Sequence, residues 1–91
     1  MTASIDVNKL SGNEFRVRVI EGLSETSHVV TLEPDDHQRL ASGKAGPEEL
    51  LRRSFEFLLE REPKESILAR FELPVIARYF PEYEREIKRR L

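Results

Sequence analysis

Several residue types and sequence features are missing from this chain, and each absence excludes a class of protein. Cysteine is absent from all 91 residues, which excludes disulfide bonds and thiolate metal sites. No apolar run approaches the ~18 residues that a membrane-spanning helix needs. The segment Met1–Leu10 lacks both the basic leader and the apolar stretch of a secretory signal. We therefore expect a cytoplasmic protein with no membrane partner.

An excess of charge of one sign is also missing. The chain carries 15 Lys and Arg against 17 Asp and Glu, a net charge of −2, so no general attraction to nucleic acid or to an anionic membrane is expected. Charged residues make up 35% of the chain and hydrophobic residues 38%, which is typical of a globular protein with a heavily solvated surface. A chain of 91 residues is long enough for a single domain, 1–91, with one modest core.

The composition changes sharply near Gly46. Glycine, aspartate, asparagine and threonine, which are disfavoured inside helices, occur only up to this residue. Most of the aromatic residues follow it. This order predicts an α+β domain in which a β meander, 1–33, precedes a helical half, 34–91.

Three segments of the first part alternate apolar and polar residues in the manner of half-buried strands. They are Ser4–Leu10, Phe15–Val19 and His28–Glu33. In the third segment, Val30 and Leu32 are expected to face the core. We predict a three-stranded antiparallel sheet with one face toward the helices and one toward water.

The stretch Pro47–Glu62 predicts the one long helix on which this sheet packs. Proline suits a first helical position, and the glutamates after it favour the positive end of the helix dipole. At 100° per residue the apolar side chains cover an arc of roughly 200°, about twice the stripe of an ordinary surface helix. The helix should therefore be contacted on two sides, by its own sheet and by either the C-terminal segment or a second copy of the chain.

Prolines punctuate the rest of the chain. A short helix is expected from Pro34, and three more after Pro63, over Lys64–Phe71, Pro74–Phe80 and Pro81–Leu91. Helices this short are marginal in water, so they must pack on the central helix.

The runs SFEFLLEREP from Ser54, SIL from Ser66 and YFP from Tyr79 resemble a family of small uncharacterised bacterial proteins. The resemblance covers roughly residues 27–87. It implies a bacterial cytoplasmic protein with a related fold, and it brings no activity and no site residues.

Side chains that carry chemistry are sparse. Asp35, Asp36 and His37 are consecutive at a helix start, where neighbouring side chains diverge by about 100° and do not converge on a metal. His28 has no spaced partner, and Ser54 lies on an apolar helix face without the glycines of a nucleophile turn. We therefore expect no enzymatic activity, no catalytic residue, no cofactor and no metal site.

Nucleic-acid binding is the main alternative. Residues 28–62 resemble a ribbon-helix-helix module, whose strand pairs between subunits and enters the major groove. The outward side chains of that strand would be Val29, Thr31 and Glu33, or His28, Val30 and Leu32. Neither set offers the Arg, Lys, Asn or Gln that reads base edges, so DNA binding is not expected.

Two weaker nucleic-acid features remain. A helix-turn-helix reading of residues 65–80 lacks the usual turn glycine, and its second helix carries only Arg78 as a base. The basic groups Arg16 with Arg18, and Lys88–Arg90, are interspersed with glutamates, as on a solvated surface.

The expected function is that of a small non-enzymatic protein-interaction module with an unknown protein partner. The large apolar side chains of the C-terminal third are more than are needed to cover one central helix. This excess predicts a homodimer with Tyr79, Phe80 and Tyr83 at or near the contact. The alternative function is a ribbon-helix-helix-type DNA-binding regulator or antitoxin-like protein.

Overall fold

A computed structural model of the chain describes residues 3–91 and confirms the α+β class. The first part contains the strands β1 (Ser4–Ser11), β2 (Glu14–Glu21) and β3 (Ser24–Thr31). The helices α1 (Pro34–Ala41) and α2 (Pro47–Leu59) follow. The last third contains a 3₁₀ turn (Lys64–Ser66), strand β4 (Arg70–Glu72), a second 3₁₀ turn (Leu73–Val75), and the helices α3 (Ile76–Tyr79) and α4 (Tyr83–Arg90).

The sheet has four strands in the order β1-β2-β3-β4, so the prediction of a three-stranded antiparallel sheet is wrong in detail. The first three strands form the expected antiparallel meander. β4 adds to β3 in parallel, with Val30 beside Phe71. The physical reason is that an unpaired β3 edge would leave backbone donors and acceptors without partners, and the extended segment around Phe71 supplies them.

The strand faces follow the alternation of the sequence. Phe15, Val17 and Val19 are buried on the face toward the helices, as are Val30 and Leu32 on the third strand and just after it. The turn between β2 and β3 is tight, since β2 ends at Glu21 and β3 begins at Ser24. It contains Gly22, whose φ of +60° suits glycine in a short hairpin turn.

The central helix α2 ends at Leu59, before the predicted Glu62, and the chain turns ahead of Pro63. Its two-sided burial is confirmed, and both sides are covered by the same chain. Phe55 faces the sheet, with ring centroids 5.4 Å from His28 and 6.1 Å from Phe71. Phe57 faces the C-terminal helices, with its centroid 5.3 Å from that of Tyr83.

The predicted helix Lys64–Phe71 is wrong, since only Lys64–Ser66 forms a 3₁₀ turn and the chain is then extended into β4. The helical half therefore contributes a strand to the sheet. Pro74–Phe80 forms a 3₁₀ turn and one turn of α-helix, and the last helix begins at Tyr83 instead of Pro81. Within residues 3–91, no helix combines the length and apolar character needed to cross a membrane.

Candidate functional site

An open apolar groove of about 140 Å³ lies where the end of α2 meets β4 and α3. Its walls come from α2, from the segment around the first 3₁₀ turn, and from the segment leading to α3. The lining residues are Leu58, Glu62, Ser66, Ile67, Leu68, Phe71, Val75, Ile76, Tyr79 and Phe80. The groove therefore consists almost wholly of segments that the sequence alone assigned to separate amphipathic helices.

Two large apolar side chains at the groove are exposed. Tyr79 is 66% exposed and Leu68 is 45% exposed. Phe80 is half-buried, because its ring packs edge-on against Phe57 at 6.0 Å between centroids. Of the three residues predicted at a contact, Tyr79 and Phe80 thus lie together at the groove.

Tyr83, the third predicted contact residue, lies in the subunit's own core with no exposed surface. Its hydroxyl is 2.6 Å from the Ser54 hydroxyl, which itself donates to the Leu50 carbonyl oxygen at 2.8 Å. The serine proton is engaged in that bond, so the Tyr83 hydroxyl is the donor to Ser54. Burial raises the pKa of Tyr83 well above its ordinary value. Tyr83 therefore offers no surface to a partner in this conformation, and Ser54 is a core hydrogen-bonding residue.

His28 holds the segment before β4 against the sheet. The ring is buried on the core face of β3, and its Nδ1 lies 2.8 Å from the Leu68 carbonyl oxygen. A carbonyl only accepts, so Nδ1 donates and Nε2 accepts from the Thr26 hydroxyl at 2.8 Å. The Val29 amide adds a bond to the Ala69 carbonyl oxygen. His28 thus has a structural role, since its ring joins β3 to the segment before β4.

Lys64 fixes the other end of the same segment. Its side chain is 5% exposed, and its ammonium group donates to Glu21 at 2.9 Å and to Glu65 at 2.8 Å. These hydrogen bonds, with Glu65 the larger cause, raise the pKa of Lys64. The ion pairs tie the 3₁₀ turn, and with it the groove residue Ser66, to the end of β2.

Glu62 is the one acidic residue of the groove lining. Its carboxylate forms no hydrogen bond or ion pair with any residue between positions 3 and 91. Partial burial raises the pKa of this carboxyl. A partner that closes the groove must therefore bring a cation to Glu62 or leave the carboxyl protonated.

Several of the other residues weighed in the sequence have partners nearby in the chain or the sheet. Asp36 pairs with Arg39 at 3.3 Å, and the His37 ring donates to the Ala45 carbonyl oxygen at 2.8 Å. Across residues 3–91 no three His, Asp or Glu side chains are grouped as metal ligands. Arg18 pairs with Glu25 and Asp6 on the open sheet face.

The C-terminal basic cluster is partly neutralised. Arg89 pairs with Glu86, and Arg90 pairs with Glu60. The helix-turn-helix interpretation of residues 65–80 is wrong, since β4 occupies the position of its first helix.

Comparison with family models, with curated proteins and with solved structures finds no match to this chain. The resemblance carried by SFEFLLEREP, SIL and YFP stays a prediction.

Tyr79 and Phe80, which the sequence predicts at a contact, both line the groove, whereas Leu68 and Glu62 line it without having been singled out. Leu68 was assigned to a predicted helix, Lys64–Phe71, that does not form. The sequence carried no local signal for the extended conformation, because Pro63 and Pro74 restrict only the residues just before them, Glu62 and Leu73.

Proposed function

We propose that this chain is a non-enzymatic, cytoplasmic protein-interaction module that self-associates through the groove beside Tyr79. The observation that carries the proposal is the pairing of two exposed large apolar side chains, Tyr79 and Leu68, with an open apolar groove. The other exposed large apolar residues of the described chain, Leu10 and Leu23, lie singly at the ends of hairpins. Scattered apolar residues are ordinary on a surface, whereas a cluster around a concavity is typical of a contact site.

The magnitudes favour a weak and reversible contact. Burying a large apolar side chain contributes about 1.5–3 kcal/mol. Association of two proteins costs an estimated 4–15 kcal/mol in lost translational and rotational freedom. Tyr79 and Leu68 from each of two copies would contribute about 6–12 kcal/mol if they were fully exposed before association, and they contribute less because each is already partly buried. Further contacts are therefore needed for a stable dimer.

The bonding of β3 supports this proposal over a ribbon-helix-helix DNA-binding regulator or antitoxin-like protein. In that class, the strand before the helices pairs with the same strand of a second subunit. Here β3 is an inner strand, bonded to β2 on one side and to β4 on the other. Its outward residues Val29 and Thr31 include none of the side chains that commonly read base edges with two hydrogen bonds.

Light scattering over a wide concentration range tests the proposal, with Tyr79→Glu as the variant. The side chain is 66% exposed, so the substitution leaves the fold intact while it places a charge at the groove. Leu10→Glu is the matched control, because it adds the same charge to an exposed apolar residue on β1, at the far edge of the sheet. Phe80→Glu is a less specific test, since Phe80 also packs on Phe57 and its loss would affect stability.

We expect the parent and Leu10→Glu to approach twice the single-chain mass of 10.6 kDa as concentration rises, while Tyr79→Glu stays at one chain. A parent mass of one chain at every concentration would contradict self-association. Equal loss of association in Tyr79→Glu and Leu10→Glu would contradict the placement of the contact at the groove.

A further inference from the structure

We propose that two copies of this chain join through antiparallel pairing of their β4 strands, about a two-fold axis that passes beside Phe71. The two sheets of four strands each would then become one continuous sheet. This inference rests on the self-association proposed above and assigns the backbone surface that directs it. The occupant of the β4 edge is thus a second copy of the same chain.

The first observation is a set of unpartnered backbone groups on β4. The Val29 amide donates to the Ala69 carbonyl oxygen, so the groups of Ala69 point toward β3. Alternate residues of a strand direct their N–H and C=O groups to opposite sides, so Phe71 also bonds β3, and Arg70 and Glu72 point to the free edge. Outside the helices and the sheet ladders, neither residue makes a backbone hydrogen bond to any residue in the range 3–91, and the Glu72 carbonyl oxygen also begins the 3₁₀ turn Leu73–Val75.

The second observation is that the sequence Arg70-Phe71-Glu72 is self-complementary when it pairs antiparallel with itself. A register centred on Phe71 places Arg70 of one copy opposite Glu72 of the other, and the two-fold axis repeats the pair. The amides of these residues face the free edge, and a carbonyl oxygen can accept two hydrogen bonds, so each pair can exchange N–H···O bonds.

The charges of these pairs are on one face. Arg70 and Glu72 lie beside Val29 and Thr31 on the open face of the sheet. The Arg70 side chain is 68% exposed, and Glu72 has no ion pair with another described residue. Opposite charges that face each other across strands stabilise an antiparallel pair, and like charges destabilise it.

The other sheet edge lacks these properties. On β1, the Arg52 guanidinium donates to the Ile5 carbonyl oxygen and so occupies part of the edge. The ladder is also irregular between Lys9 and Ser11. Covered groups, bulges and lysines are the features by which proteins prevent edge-to-edge pairing. β1 carries all of them, whereas β4 is limited only by its length.

The short length of β4 explains why the groove is also needed. Pro74 has no N–H group, so the backbone ladder cannot extend far beyond Glu72. Phe71 faces the opposite side of the sheet from Arg70, toward the core and the groove that it helps to line. In a two-fold pair the two grooves lie on the same side of the joined sheet, so that Leu68 and Tyr79 of both copies add apolar contact to the backbone bonds.

Charge-reversal variants of Arg70 and Glu72 distinguish β4 pairing from other dimer arrangements. Arg70→Glu places acidic residues opposite each other in both symmetry-related pairs, and Glu72→Arg places basic residues there. We expect each single variant to associate more weakly than the parent, by a factor of at most about ten. The double variant Arg70→Glu/Glu72→Arg restores opposite charges and should associate like the parent.

Mixing provides a second test with the same proteins. An equimolar mixture of the Arg70→Glu and Glu72→Arg chains brings opposite charges together in both pairs, so a heterodimer should form from two weakly associating chains. Glu14→Gln is the control for the intrachain partner of Arg70, which lies 3.1 Å away, and it should leave association unchanged. Far-UV circular dichroism checks that each variant is folded.

Association is measured by analytical ultracentrifugation. Weakened single variants, a restored double variant and a heterodimer in the mixture would support β4 pairing. A dimer that Tyr79→Glu abolishes but charge reversal leaves unchanged would overturn β4 pairing and keep the groove contact. A double variant that stays as weak as the single variants would also overturn β4 pairing. A parent chain that is monomeric at every concentration would overturn both proposals.

Discussion

The hydrogen bond between Tyr83 and Ser54 gives a quantitative test of the assignment of Tyr83 to the core. Tyr83 donates to the Ser54 hydroxyl at 2.6 Å, and Ser54 donates to the Leu50 carbonyl oxygen at 2.8 Å. Tyr83→Phe removes one neutral hydrogen bond and leaves Ser54 with its bond to Leu50. We expect it to lower the free energy of unfolding by about 0.5–1.5 kcal/mol.

Ser54→Ala should cost more than Tyr83→Phe. It leaves the fully buried Tyr83 hydroxyl without an acceptor, a penalty of about 1–3 kcal/mol. The double variant Ser54→Ala/Tyr83→Phe removes both polar groups, so its loss should be smaller than the sum of the two single losses. For a domain of this size, 1 kcal/mol corresponds to a change in Tm of about 4–8 °C, which thermal and urea unfolding resolve.

The pH dependence of the same variant provides a further check. Burial raises the pKa of Tyr83 in the folded protein, so above the unfolded value of 10.0 the unfolded chain loses the proton first. Tyr83 therefore makes stability fall as pH rises above 10.0, and this fall should be smaller in Tyr83→Phe. If Tyr83→Phe instead weakens association without changing stability at neutral pH, Tyr83 lies at the contact and the core assignment is wrong.

Three further predictions concern the core, the groove and nucleic acid. Phe55→Ala should cost about 3–5 kcal/mol of a typical total of 5–15 kcal/mol, because its ring is fully buried between the sheet and α2; a Tm within a few degrees of the parent would contradict this. Closing the groove favours the protonated form of the Glu62 carboxyl, whose pKa is already raised by burial, so association of the parent should strengthen as pH falls toward 5. Glu62→Gln should associate more strongly than the parent at neutral pH and should lack this pH response. An equal pH response in both proteins would show that Glu62 lies outside the contact. Binding to duplex DNA at physiological salt should be undetectable or non-specific; a sequence-specific complex lost on Thr31→Ala would contradict the proposed function.

The elements with strong local patterns are the ones that the sequence predicts well. β2 alternates Phe15, Val17 and Val19 with arginines, and its buried face is as expected. The wide apolar arc of α2 correctly indicated contacts on two sides, with Phe55 on one and Phe57 on the other.

β4 could not be recognised in this way. A strand of three residues is too short to show alternation, and Ile67, Leu68 and Phe71 have the spacing of one helix face. The extended conformation depends on pairing with the edge of β3, which is distant in the sequence. The hydrogen bond from His28 to Leu68, for example, joins residues 40 positions apart. Tertiary pairing overrides local spacing here.

The groove and the burial of Tyr83 depend on the same kind of distant contact. Tyr83 and the other large apolar side chains of the C-terminal third looked like a surplus, because the sequence does not show that α4 packs across α2. Once that packing is known, only Tyr79 and Leu68 remain largely exposed in the C-terminal third. The apolar surface left exposed is thus smaller than the sequence predicts, and it lies beside β4.

Hydrogen exchange of individual β4 amides, measured by NMR as a function of protein concentration, tests self-association through β4 most directly. In the single chain, the Arg70 and Glu72 amides face the free edge, and the Phe71 amide faces β3. We expect the Arg70 and Glu72 amides to exchange rapidly in dilute protein and to become protected as the dimer forms, while the Phe71 amide is protected throughout. A dimer in which the Arg70 and Glu72 amides still exchange as rapidly as in dilute protein would contradict pairing through β4.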